Sequence, residues 1–241
     1  MLRHSFAALV LALSAAAVPA QAEWSEEELR ELVLETIRSN PEIVMEAVAI
    51  LQEREEAAQA EQAKDILSQQ RVLLETDPNA PVLGNPDGDV TVIEFFDYNC
   101  PYCKRAGEEV TALIEEDSNV RIVYREWPIL GEGSVVASRA ALASRAQGKY
   151  EEFHTALMTA KGRLDEKSVF KIAKSAGLDV DQLRTDMEAP EIDEHIATSH
   201  RLAQSLGFSG TPSFVIGDEL VPGMVQLPTL IDMVEAARDQ S

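Results

Sequence analysis

The chain has 241 residues, 45% of them apolar, enough for a core that needs no covalent staple. Its 42 acidic and 21 basic residues give a formal net charge of -21. Nucleic acid and anionic membrane surfaces repel such a chain, so neither is expected as a partner.

In chain order, the first segment reads MLRHSFAALVLALSAAAVPAQAEW. Arg3 and His4 form a short basic start, and the apolar run from Phe6 to Val18 is too short to span a bilayer. Ala20-Gln21-Ala22 has the small-x-small form of a cleavage site. This predicts a secretory signal peptide over residues 1–22 and a mature chain from about Glu23. A two-membrane bacterium sends such a protein to the periplasm, where cysteine pairs can be oxidised.

Residues 23–75 read as a helical segment. Ser25 and Glu28 form a capping box, and Leu29, Leu32, Val33 and Ile37 follow the helical period. Asn40-Pro41 predicts a helix end and a new start, with Asn40 as N-cap of the second helix. Val44, Ala47, Val48 and Leu51 continue an apolar stripe, which thins to alanine between Gln52 and Lys64. So narrow a stripe is compatible with a rod laid loosely on the main domain, or with self-association through Leu29 to Leu51. The second reading is favoured, because short isolated helices are marginal in water.

The tract from Thr76 to Asp89 is dense in Pro, Gly, Asn and Asp and reads as a boundary and turn opening a domain over 76–241. Residues 90–98 (VTVIEFFDY) form a buried strand, Pro101 to Glu116 a helix and residues 120–127 (VRIVYREW) a second strand. Strand, helix and strand this close together make a βαβ unit with parallel strands. Residues 134–206 have a helical pattern broken at Gly148, Gly162, Gly177 and Pro190. SFVIGDELVPG (213–223) predicts a hairpin around Gly217-Asp218, and Pro228 to Arg238 a closing helix.

The two cysteines, Cys100 and Cys103, sit where the first strand gives way to a helix. As a staple, a disulfide closing so short a loop removes little unfolded-state entropy. As a structural zinc site the pair supplies two of four ligands. His154 is expected on a helix flank, and His195 and His200 are spaced off a common helical face, so no metal is expected. Two thiols alone still suit a Cu(I) ion. At a helix N-terminus free N–H groups favour the thiolate of Cys100, and Cys103 lies one turn further in, within reach to resolve a mixed disulfide. Pro101 occupies the first turn, where its missing N–H costs nothing.

EFFDYNCPYC (94–103) resembles the active site of the DsbA-like branch of the thioredoxin superfamily, and the order from Asp89 to Gln240 follows that family. The resemblance implies an α/β thioredoxin fold split by a helical insertion and preceded by an all-helical extension. It identifies GTPSF (210–214) with the family's cis-proline loop, making Pro212 the cis residue, with Thr211 before it, and setting Thr211, Pro212, Pro101 and Tyr102 against substrate. It makes Cys100 and Cys103 the catalytic pair and Glu94 a buried acid handling the proton of Cys103. Asp97, Tyr98 and Asn99 are read as substrate-facing residues on the rim. NPEIVMEAVAILQEREEAAQA (40–60) is similar to the oligomerisation segment of ScsC-like proteins, the copper-resistance relatives of DsbA. The function implied is periplasmic thiol–disulfide exchange on exported proteins, as a homo-oligomeric isomerase assembled through residues 24–75. A membrane redox partner would recycle the cysteines, with no cofactor. A monomeric dithiol oxidase and a Cu(I)-binding protein are the alternatives.

Overall fold

The computed structural model describes residues 24–240. The signal-peptide expectation lies outside them. The chain divides into two compact units, one up to Glu56 and one from Ala57.

The first unit is helical. α1 (Glu26–Ser39) opens with the expected capping box: the Ser25 side chain accepts from the Glu28 N–H while Glu28 reaches back to the Ser25 backbone. Asn40 does not cap the next helix. Its backbone N–H and its Nδ2 both donate to the Thr36 carbonyl, so it closes α1 instead. α2 (Glu42–Thr76) follows. Leu29, Leu32, Val33, Ile37, Ile43, Val44, Val48 and Leu51 are all exposed, an apolar set without a partner in this unit.

The second unit carries the sheet. Its strands are β1 (Val82–Gly84), β2 (Val90–Phe96), β3 (Val120–Glu126), β4 (Ser213–Ile216) and β5 (Glu219–Pro222), ordered β1-β3-β2-β4-β5. β2 and β3 are parallel and joined by α3 (Pro101–Glu116), as the βαβ reading requires. β4 lies antiparallel on β2, and β4–β5 is the predicted hairpin. β1 falls in the tract read as turn; it pairs antiparallel with β3 through Val82, Leu83 and Gly84. The helical insertion comprises α4 (Glu132–Ala143), α5 (Tyr150–Met158), α6 (Glu166–Ser175), α7 (Val180–Asp186) and α8 (Pro190–Ser205), and α9 (Leu227–Asp239) closes the chain. The break expected at Pro190 falls between α7 and α8, with Pro190 in the first turn of α8.

Strand alternation sorts the two sheet faces. Val92 and Phe96 of β2 join α3, α5 and α9 in one cluster, and Glu94, two residues from each, shares their face. Ile93 and Phe95 face the other way, with Leu202, Ala203 and Leu206 of α8 and with Leu67 and Leu74 of α2. Those two leucines explain why the compact unit begins at Ala57, whereas the sequence places the domain start at 76. The last turn of α2 is fixed by Arg125 of β3, whose side chain is wholly buried. Its guanidinium donates to the Leu73 and Leu74 carbonyls and pairs with Asp77 at 2.5 Å, so free carbonyls at a helix end meet a cation.

Candidate active site

β2 delivers the chain to the site and α3 carries it away. Cys100 is the N-cap of α3, with extended backbone (φ -80°, ψ 118°), and Pro101 stands in the first turn. In this position Cys100 Sγ accepts the Cys103 N–H at 3.4 Å, satisfying a helix donor that would otherwise have no partner. Its thiol reaches the Thr211 carbonyl at 3.2 Å. Both cysteines are free thiols, and both are buried.

The two thiols have opposite acidities. Hydrogen bonding from Cys103 lowers the Cys100 pKa to about 6, with Thr211 and the N–H groups of Cys103 and Tyr102 adding to it against the cost of burial. Burial pushes the Cys103 thiol far above its ordinary range; its hydrogen bond to Cys100 and the charge of Glu94 push it further. One group opposes this shift: the Asp97 N–H, which donates to Cys103 Sγ at 3.5 Å. At neutral pH Cys100 is therefore the thiol inclined to ionise and Cys103 the one held protonated.

The Thr211–Pro212 peptide is cis. The Pro212 carbonyl accepts the Gly223 N–H at 2.9 Å, tying this loop to the end of β5. Cys100, Cys103, Thr211 and Pro212 thus come together across more than a hundred residues of sequence. Pro101 and Tyr102 are exposed beside them, and the Arg105 guanidinium lies 5.0 Å over the Tyr102 ring.

Glu94 is fully buried, and neither carboxyl oxygen has a hydrogen-bond partner among the described residues. Burial, and then the negative charge of Cys100, raises its pKa from 4.5 to about 8. An isolated carboxyl in apolar surroundings stays neutral rather than ionise. Glu94 is also among the groups that raise Cys103, so carboxyl and resolving thiol feel each other's charge.

Two readings of the rim need correction. Asp97 and Tyr98 do not face substrate; both are completely buried, and Asn99 is half-buried. Asp97 Oδ1 accepts the Asn99 N–H at 2.7 Å, and Oδ2 accepts the Ile129 and Leu130 N–H groups at 2.8 and 2.9 Å. Asn99 binds the Leu164 backbone through both ends of its amide and also donates to Ser134. The Tyr98 hydroxyl is 2.9 Å from His154 Nδ1. His154 is accordingly no flank residue: it is buried among Phe96, Tyr98, Tyr124 and Tyr150, and burial lowers its pKa to about 4. His195 is buried against Glu126 at 2.7 Å, and the exposed His200 takes the Trp127 indole N–H, so the three histidines make separate contacts. Sequence reasoning missed Asp97 and Tyr98 as structural parts of the site. An available signal was Asp97 two residues before Asn99, the spacing at which an aspartate accepts the second following N–H in an Asx-turn.

A cysteine pair at the start of the helix after a central strand, with a cis-proline loop against it, defines a thioredoxin-fold oxidoreductase. Residues 91–235 match the DSBA-like thioredoxin domain, and residues 26–58 match the copper resistance protein ScsC N-terminal domain. The chain belongs to the DSBA-like thioredoxin domain family. A thioredoxin-like oxidoreductase from Silicibacter pomeroyi DSS-3 is 63% identical, with a TM-score of 0.70, over 71% of this chain and 99% of that one. A linker-deletion variant of Proteus mirabilis ScsC is 30% identical, with a TM-score of 0.68, over 95% of this chain and 100% of that one. Among curated proteins, the Na+/H+ antiporter NhaA 1 of Salinispora arenicola is 30% identical over 169 residues, 69% of this chain. The chain spans about a quarter of the length of the curated relatives it matches, 26% in that case.

Proposed function

We propose that the protein is a periplasmic thiol–disulfide oxidoreductase that shuffles disulfides in exported proteins, working as a homo-oligomeric isomerase through its Cys-Pro-Tyr-Cys pair. The observation that carries the reading is the inequality of the two thiols, one held as thiolate near pH 6 and the other kept protonated beside a buried acid. The Cys100 thiolate attacks a substrate disulfide; a Cys100–substrate bond forms, the old bond breaks, and the departing sulfur takes a proton from solvent. In isomerisation a second substrate thiolate then displaces Cys100. Otherwise Glu94, freed of the Cys100 charge, gives its own proton to solvent and then takes the Cys103 proton as Cys103 attacks Cys100 Sγ, releasing the substrate thiol and leaving the protein oxidised. Thr211 and Pro212 present backbone for an extended peptide to pair with, flanked by Pro101 and Tyr102. A membrane redox partner resets the pair.

The isomerase preference rests on residues 26–58, which resemble the ScsC N-terminal domain and expose a row of apolar side chains. Such a face calls for a partner, and further copies of the chain are the occupant we assign. The test compares the mature protein with a form starting at Ala57. Mass in solution and reactivation of scrambled ribonuclease should both fall in the short form, while oxidation of a simple dithiol persists. A monomeric long form, or equal isomerisation by both, would leave a monomeric oxidase as the better account. Stoichiometric Cu(I) retention without any thiol exchange would favour a copper-binding role.

A further inference from the structure

We propose that Asp97 is the positioning residue for the resolving step, the attack of Cys103 on the mixed disulfide. The proposal rests on the thiol-exchange reading above. In that step Glu94, no longer facing the Cys100 charge, has given its own proton to solvent, and its carboxylate takes the proton of the Cys103 thiol. The Cys103–Cys100 bond forms, the Cys100–substrate bond breaks, and the substrate sulfur leaves with the electron pair and is protonated by solvent. Negative charge builds on Cys103 Sγ in a buried, apolar place. The Asp97 N–H points at that atom from 3.5 Å. A donor fixed before charge develops lowers the barrier without reorganisation.

The side chain explains how the donor is fixed. The Asp97 carbonyl also accepts the Cys100 N–H at 3.0 Å, so this residue's backbone touches one cysteine's sulfur and the other's amide. Its carboxyl group is wholly buried and spends its oxygens on three backbone N–H groups, those of Asn99, Ile129 and Leu130. The last two belong to the loop after β3, which Arg163 holds from outside through the Leu130 carbonyl. Asp97 is thereby clamped from both sides, and its peptide planes cannot turn without breaking these bonds. Ile129 and Leu130 are exposed at the surface, so the loop that anchors the donor also faces solvent next to the site.

The experiment mixes the reduced, full-length protein with oxidised glutathione and quenches in acid. Mass spectrometry then follows the Cys100–glutathione adduct and the internal disulfide. In the wild type the adduct should stay scarce because Cys103 removes it quickly. In Asp97→Asn the amide has a single acceptor oxygen, so at least one N–H contact is lost whichever way it turns. Adduct should accumulate as its resolution slows by about 10-fold, less than the roughly 10²–10³-fold of deleting a donor at a developing charge, because the Asp97 N–H is loosened rather than removed. Its rate of formation and the thiolate titration of Cys100 at 240 nm should stay unchanged. Leu130→Pro deletes one donor and leaves the carboxyl in place; it should slow resolution in the same sense, and it decides the matter if Asp97→Asn does not fold. Resolution at the wild-type rate in the folded variants, or equal slowing of both steps, overturns the proposal. Failure of the wild type to form either the adduct or the internal disulfide instead refutes the thiol-exchange reading beneath it.

Discussion

Replacing Glu94 by glutamine should stabilise the reduced protein above the ordinary carboxylate range and leave it little changed below. The carboxyl is buried without a partner, and its pKa stands at about 8 against 4.5. A raised acid costs nothing while both folded and unfolded chains hold the proton. As pH climbs past 4.5 the unfolded chain ionises and the folded one does not, so the penalty grows until pH 8 and is constant beyond. At pH 7 the gap of two and a half units, at roughly 1.36 kcal/mol each, comes to about 3 kcal/mol. A glutamine side chain keeps the size and polarity of the neutral acid, so the cost of burying an unsatisfied group is similar in both proteins and cancels between pH values. The assay is urea unfolding of the reduced wild type and Glu94→Gln at pH 4, 6, 7 and 8.5. The difference between the two should rise by about 3 kcal/mol from pH 4 to pH 7. A difference that is flat across that range would show Glu94 to be ionised or solvated in the fold. Its raised pKa, and with it the coupling to the charge of Cys100, would then be refuted.

The remaining predictions concern the thiol and the buried ion pair. Thiolate absorbance at 240 nm should titrate with a midpoint near 6 in the reduced protein, and Cys100→Ser should abolish it; a midpoint near the ordinary 9.0 would contradict the hydrogen bonding at the helix start. Because this pKa is depressed, the stability it lends the reduced form is complete above pH 9 and is lost as pH falls through 6, opposite in sense to Glu94. Asp77→Ala should cost about 3–5 kcal/mol in urea unfolding, since it strands the wholly buried Arg125 without its carboxylate. A loss within ~1 kcal/mol, the size of an exposed pair, would mean that water reaches the guanidinium.

Much of the fold was legible because local pattern and tertiary role agree. The β-branched run of β2, the proline-led start of α3 and the Gly217-Asp218 turn each carry their own signal. β1 carries none: three residues between Pro81 and Asn85 become a strand only because β3 offers an edge. The cis form of Pro212 came from family resemblance, since a Gly-Thr-Pro sequence also suits an ordinary turn. Asp97, Tyr98 and His154 were misread for a common reason. Polar residues in a loop or on a helix flank look solvated, but what buries them lies far off in sequence, at Ile129 and Leu130 for Asp97 and across 56 residues for Tyr98 and His154. Burial of a polar group is a property of its partners, and partners at such separations leave no periodic trace.

The same reasoning separates two thiols that sit within one turn of one helix. The helix dipole acts on both, so it cannot be what makes their acidities opposite. Cys100 differs because the cap position exposes it to N–H donors of the first turn, whereas Cys103 lies inside the turn, against apolar side chains and Glu94. The three groups are consequently coupled. While Cys100 is a thiolate, its charge helps to keep both Glu94 and Cys103 protonated. Once Cys100 is engaged in a mixed disulfide, that charge is gone. Glu94 then becomes easier to ionise and Cys103 easier to deprotonate, at the moment when the resolving step needs both. The buried carboxyl without a partner thus costs the fold stability; in the mechanism proposed above, its ionisation after Cys100 has reacted is what generates the second thiolate.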